Sequence, residues 1–144
     1  MRIQEIMTPN VRMVRPEQTV AEAAKVMAEE DLGFLPVSND EKLVGIITDR
    51  DITVRVIAEG RDGRALIGDV MSDHVKYCYA DQSVDEVIAN MGDIQVRRLP
   101  VVSREKRLVG VVSLADAALK HTPEAAGEAL NDVVEPGGQH SQTK

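Results

Sequence analysis

Two short runs of the chain end an apolar, strand-like segment with a hydroxyl and, three residues later, a carboxylate. They are Gly45-Ile46-Ile47-Thr48-Asp49-Arg50-Asp51 and Gly110-Val111-Val112-Ser113-Leu114-Ala115-Asp116. A hydroxyl followed three residues on by an acid is a helix-capping pattern, and the helix dipole favours an acid in the first turn. Either run alone is explained as a helix start, and Gly45 and Gly110 as a bulge or a close backbone approach. The recurrence of the whole corner suggests two matched sites. At such a corner the free N–H groups of a helix start and the hydroxyl suit an anion. The carboxylate makes a bare phosphate a poor neighbour and suits a vicinal diol, whose two hydroxyls can both donate to it. A ribose carrying phosphate at one end satisfies both demands.

Other chemistry finds no comparable support. His74, His121 and His140 are isolated, and with the single Cys78 they form no zinc-type spacing, so no metal site is expected. There is no Gly-x-Ser-x-Gly elbow, P-loop or Gly-x-Gly-x-x-Gly fingerprint. Acidic residues are abundant without forming a positioned acid–base pair, so no catalysis and no obligatory cofactor are assigned. Cys78 reads as a small buried hydrophobe, although a disulfide between two chains is formally open to it. Met27 and Met91 read as core filler.

Composition narrows the partners. A 43% hydrophobic content over 144 residues is enough for a core, but aromatics are 2%, with no Trp and Phe34 the one Phe. The core must rest on Val, Ile, Leu, Met and Ala, and stacking platforms for bases are scarce. A net charge of -7 further disfavours nucleic acid, since phosphate-backbone binding needs a basic surface. The opening Met1-Arg2-Ile3-Gln4-Glu5 lacks a secretory apolar run, and no stretch approaches the roughly 18 apolar residues of a membrane span. The expectation is a soluble cytoplasmic protein without membrane contact.

The elements that must position the corners follow from an internal repeat. Ile6-Met7-Thr8 recurs 64 positions later as Val70-Met71-Ser72, Val11 as Val75, Gln18-Thr19-Val20 as Gln82-Ser83-Val84, and Leu35-Pro36-Val37 as Leu99-Pro100-Val101. One residue is inserted in the polar turn at Ser103-Arg104-Glu105-Lys106-Arg107, and Leu43-Val44-Gly45 then falls on Leu108-Val109-Gly110. Thr19 with Glu22 and Ser83 with Glu86 mark helix starts. Val20, Ala23, Ala24 and Met27, like Val84, Val87, Ile88 and Met91, form an apolar stripe behind them. Phe34-Leu35-Pro36-Val37 and Leu43-Val44-Gly45-Ile46-Ile47 read as a hairpin. Pro36 and Pro100 place their strands at an edge, or mark where those strands begin. A helix over 51–58 closes the first copy.

The expected architecture is α+β/α/β: two strand-helix-strand-strand-helix repeats packed about a pseudo-two-fold axis, with paired clefts between them. Residues 1–60 form the first repeat, 61–66 a linker, 67–121 the second, and 122–144 a further helix over 123–135 with a disordered polar tail beyond Pro136.

The paired Gly-hydrophobic-hydrophobic-Thr/Ser-x-x-Asp corners, the Leu-Pro-Val strands and the Met-Thr or Met-Ser openings resemble a tandem pair of cystathionine-β-synthase (CBS) domains, a Bateman module. The resemblance covers Ile3 to about Lys120, and the Thr-Asp-Arg-Asp-Ile run with Ala58-Glu59-Gly60 is similar to small stand-alone prokaryotic members. It implies that Asp51 and Asp116 each hold the ribose of an adenosine-type ligand, with Thr48 and Ser113 near ribose or phosphate. It further implies that the base and phosphate regions are lined by Thr8, Val11 and Arg12 with Leu32 and Gly33, and in the second copy by Ser72, Val75 and Lys76 with Val96, Arg97 and Arg98.

The copies are unequal. Arg97-Arg98 stands where the first copy has Gly33-Phe34, and Arg50, a further phosphate candidate, is matched by Ala115. One good nucleotide site and one weaker, altered or empty site are expected. The function implied is non-enzymatic regulation and energy sensing: AMP, ADP or ATP bound between the repeats, in a homodimer acting on an unknown effector protein. The Val54 and Ala58 or Ala117 and Ala118 faces are compatible with dimerisation. The alternatives are a ligand-free dimerisation or protein-interaction scaffold, and a module for NAD or S-adenosylmethionine.

Overall fold

A computed structural model describes residues 1–121 and 123–136 of the chain. The tail expected beyond Pro136, with His140, lies outside the described residues. In chain order the elements are β1 (Thr8–Pro9), α1 (Val20–Glu30), β2 (Phe34–Asn39), β3 (Lys42–Thr48), α2 (Asp49–Ile52) running into a π-helical turn (Thr53–Ile57), α3 (Ile67–Val70), β4 (Cys78–Tyr79), α4 (Val84–Asp93), β5 (Arg98–Val102), β6 (Leu108–Ser113), α5 (Leu114–Lys120) and α6 (Pro123–Val133). Both hairpins and both capped helices stand where the residue pattern puts them. Thr19 Oγ1 accepts the Glu22 amide N–H and Ser83 Oγ that of Glu86, each at 3.2 Å. The short helices at Ile3–Glu5 and Ile67–Val70 were not anticipated. Their trace in the sequence is the i, i+3 pairs Ile3/Ile6 and Ile67/Val70, all four fully buried.

The chain forms two compact units that do not coincide with the two sequence repeats. One comprises Met1–Val11, Lys76–Glu105 and Val109–Lys144, the other Arg12–Val75 and Lys106–Leu108. The reason lies in strand pairing. In the first unit β1 runs antiparallel to β6, with Thr8 opposite Val111, so the opening of the first repeat completes the sheet β1-β6-β5-β4 of the second. In the other unit Ser72 bridges Ile46 on β3, with the amide N–H of each donating to the carbonyl of the other at 2.9 Å. The two repeats thus exchange their openings.

Gly45 and Gly110 are needed at these crossings. A Cβ on Gly110 would stand 2.6 Å from the Thr8 carbonyl oxygen, and one on Gly45 2.9 Å from that of Ser72. Close backbone approach holds at both glycines, and at Gly45 the bulge reading holds too, since the register jumps from Val37 opposite Gly45 to Ser38 opposite Leu43.

The edge position expected of the proline strands holds for β2, one of the two strands of its sheet, and is corrected for β5. β5 lies between β6 and β4, and Pro100 is buried in it. β2 pairs with β3 on one side and on its free side receives a single isolated bridge from Val14. Pro36 is tolerated because its carbonyl, which accepts the Val14 N–H at 3.1 Å, and its missing N–H face the same side, at the end of a one-bridge parallel ladder.

Each unit has its own aliphatic core. In one, Val14, Val20, Ala23, Val26, Met27, Leu35, Val37, Ile47, Val56, Ile67 and Val70 cluster; in the other, residues of α4, β5 and α5 cluster with Ala126, Ala129 and Val133 of α6. Full burial of each large aliphatic side chain stabilises by about 1.5–3 kcal/mol as an upper estimate. The α4 stripe is as expected. On α1, however, Ala24 is exposed and Val26 is buried, because the helix turns its bulkier apolar residue inward.

The α4 counterpart of Ala24 is Ile88, and that of Ala28 is Gly92, where α6 docks: a Cβ at Gly92 would meet the Ala129 Cα at 3.2 Å. Gln95 Nε2 ties down the end of α6, donating to the Asp132 carbonyl at 2.9 Å and the Glu135 carbonyl at 3.3 Å. The helical face of this unit is therefore covered, and Ala117 is fully buried rather than available for dimer contact. On the other unit Val54 is 42% and Ile57 62% exposed. The 61–66 segment is also held, its Gly63 and Ala65 carbonyls accepting the Ala21 and Val20 amide N–H groups.

Candidate functional site

Both corners are closed capping boxes of nearly the same geometry. Thr48 Oγ1 accepts the Asp51 amide N–H at 3.1 Å while Asp51 Oδ2 accepts the Thr48 N–H at 2.9 Å. Ser113 Oγ and Asp116 Oδ2 make the corresponding pair at 3.0 Å each. Each carboxylate spends one oxygen on the cap. The second oxygen of Asp51 lies 3.9 Å from Arg55 Nε, whose guanidinium also donates to the Val70 carbonyl. Both aspartates are half-buried and held in place by the cap.

The segment before each Leu-Pro strand is bonded to its corner. The Asp49 N–H donates to the Gly33 carbonyl at 2.9 Å, and the Leu114 N–H donates to the Arg97 carbonyl at 3.0 Å. The residues gathered around the corners differ from the expected grouping, because the openings are exchanged. Thr8 and Val11 join Lys76, Val96, Arg97, Arg98, Ser113 and Asp116 in one unit. Ser72 and Val75 join Arg12, Leu32, Gly33, Thr48, Arg50 and Asp51 in the other. Each corner thus meets the opening of the opposite repeat.

Electrostatics separates the twins. Arg97 and Arg98 are exposed and have no ion-pair partner among the described residues, whereas Arg15, Arg55, Arg64, Arg104 and Arg107 are paired. Arg12 is engaged as well, 3.3 Å from Glu29 and 3.8 Å from Glu30. At the Thr48 corner Gly33 is pressed against Asp49, where a Cβ would come within 2.6 Å of Oδ2. The position of Asp49 is taken by Leu114 in the other unit. One corner therefore offers two free guanidiniums beside an apolar residue. The other offers one, Arg50, likewise exposed and without an ion pair among the described residues, and flanked in sequence by Asp49 and Asp51.

An apolar groove of about 350 Å³ adjoins the Ser113 corner, lined by Arg97 and Arg98, by Leu114 and Ala118 of α5, and by Gly127 and Leu130 of α6. Residue patterns did not reveal it, since it depends on how α6 docks. Among the described residues no three His, Cys, Asp or Glu side chains are grouped to hold a metal, and no helix is long and apolar enough to cross a membrane.

Comparison with known proteins agrees with this geometry. The family model for the CBS domain matches residues 3–57 and 67–119. The CBS domain-containing protein YhcV of Bacillus subtilis is 38% identical over 91% of this chain and 94% of its own length. The crystal structure of hypoxic response protein I with two coordinated zinc ions is similar with a TM-score of 0.76 and 38% identity, covering 83% of this chain and 98% of that one. CBSX2 in complex with AMP matches with a TM-score of 0.71 and 26% identity, over 83% and 96% of the two chains. The CBS domain pair of MJ0100, in complex with 5'-methylthioadenosine and S-adenosyl-L-methionine, matches with a TM-score of 0.74 and 26% identity, over 86% and 98%.

Proposed function

The chain belongs to the CBS-domain family and carries two copies of the domain, and from that premise we propose that it is a regulatory module binding an adenosine ligand, foremost an adenine nucleotide, at the Ser113–Asp116 corner. The observation that carries this reading is the coincidence of two unpaired guanidiniums, Arg97 and Arg98, with the half-buried Asp116 in one compact unit. In this reading the carboxylate oxygen not used in the cap accepts from the ribose hydroxyls. The arginines take the phosphate, since guanidinium forks match its oxygens. Thr8 and Val11, Val96 and Lys76 lie in the same unit as the flanking surface, and AMP and S-adenosylmethionine complexes of similar proteins support the ligand class.

The Thr48–Asp51 corner is the weaker site, because Asp49 puts a second negative charge where phosphate would approach. Arg50 offsets this only in part. Regulation requires that the ligand bind one conformational or associative state better than another. Equilibrium dialysis of ligand-stripped protein against AMP, ADP, ATP, NAD and S-adenosylmethionine tests the proposal. Saturable binding of an adenine nucleotide supports it, and failure of all five to bind sinks it.

A second reading, association with another copy, is favoured by the exposed Val54 and Ile57 on the unit that α6 does not cover. Light scattering of Val54→Glu/Ile57→Glu checks it: a shift from dimer to monomer is expected, and an unchanged mass counts against this face.

A further inference from the structure

The α6 helix follows the region that matches the family model, and with α5 it borders a solvent-open groove beside Arg97 and Arg98. The two arginines are the charged residues among the described lining, and the rest is apolar apart from Ser113. Gly127, inside α6, lines the same space. Glycine is a poor choice in a helix interior. At Gly92 it is explained by the tight approach of Ala129, but at Gly127 a Cβ would meet nothing within 4 Å. Gly127 is exposed, so the tight approach that explains Gly92 is absent there.

We propose that this groove binds a medium-chain aliphatic carboxylate, with the tail between α5 and α6 and the head group on Arg97 and Arg98. Charge complementarity selects an anion, since both unpaired charges are positive, and a guanidinium fork matches a carboxylate in two parallel hydrogen bonds. The apolar walls select an aliphatic tail. A space of about 350 Å³ holds a chain of about ten carbons at the density of a protein interior. The groove shares Arg97, Arg98 and Ser113 with the proposed nucleotide corner, yet the inference stands without it.

The test is calorimetric titration of the ligand-stripped full chain with sodium decanoate below its micelle threshold, with acetate as the head-only control and AMP as a separate ligand. Decanoate is expected to bind saturably and acetate not. Gly127→Leu, which puts a large side chain on the groove wall and favours the helix, weakens decanoate by at least about tenfold. Arg97→Gln/Arg98→Gln does the same. Binding of AMP to Gly127→Leu with loss of decanoate separates the groove from the corner, and a failure of AMP alone counts only against the nucleotide reading. Absence of saturable decanoate binding to the wild type overturns the proposal. So does undiminished binding by Gly127→Leu whose helix content is intact by circular dichroism.

Discussion

The two corners share a backbone and differ in what surrounds it. Thr48–Asp51 and Ser113–Asp116 make the same reciprocal hydrogen bonds to within about 0.1 Å. Around the first stand Gly33 and Asp49 on a unit whose helical face is bare; around the second stand Arg97, Arg98 and Leu114 on a unit covered by α6. Duplication of a cap therefore says where a site can be. The residues one turn away decide what it binds.

The largest expected effect is at the crossings. Gly110→Val drives a side chain into the Thr8 carbonyl, which as backbone cannot swing aside, and should cost about 3 kcal/mol or prevent folding. Gly45→Val should cost less, because its shortest approach is to the flexible Met71 side chain. Denaturant midpoints of the two variants measure the difference, and equal loss would mean the crossings are equally tight.

Next is deletion of α6, by a chain ending at His121. It removes the burial of Val133, Ala126 and Ala129, so stability should fall by roughly 2–4 kcal/mol. It also bares Ala117 and Gly92, making this unit resemble its twin. Light scattering should then report a larger assembly, and a truncated chain of unchanged mass and melting temperature would show that the cover is incidental.

The cores offer a smaller contrast. Cys78 occupies the place of Val14, and burial pushes its thiol from an ordinary 9.0 up to about 12. With the folded value raised, the neutral thiol is favoured: its contribution is whole below pH 9 and declines by about 1.4 kcal/mol per pH unit between pH 9 and 12, as the unfolded chain releases a proton that the folded one retains. Cys78→Val should lose that component, so the stability gap between variant and wild type should move in favour of the variant above pH 9. A pH-independent gap would contradict the burial.

Smallest is the cap itself. Asp51→Ala and Asp116→Ala should each cost about 1 kcal/mol in unliganded protein, since each removes the same capping-box hydrogen bond and the long, exposed Arg55 contact of Asp51 adds little. Divergence by more than that would show that the corners differ before any ligand arrives.

The locally encoded parts of this fold were legible in the residues: both corners, both hairpins, the Thr19 and Ser83 caps and the α4 stripe. Each is set by neighbours three or four positions away or by strict alternation. The exchange of openings was not. Thr8-Pro9 is too short to show a period, and a repeat cannot say whether its opening pairs with its own hairpin or with the other. Pro100 in a central strand and Ala24 on the outside are decided by tertiary partners in the same way. At the site, the aspartates, hydroxyls and arginines could be named, but the regrouping of Thr8 and Val11 with Ser113, the pairing of Arg12 with Glu29 and Glu30, and the groove under α6 follow only from the folded chain.

The most direct test of unequal twins is a calorimetric titration of AMP into ligand-stripped wild type, Asp51→Ala and Asp116→Ala. Saturable binding that survives Asp51→Ala and is lost in Asp116→Ala is the predicted result. Binding that depends on Asp51 instead, or equally on both, would contradict the assignment of the stronger site to the corner beside Arg97 and Arg98.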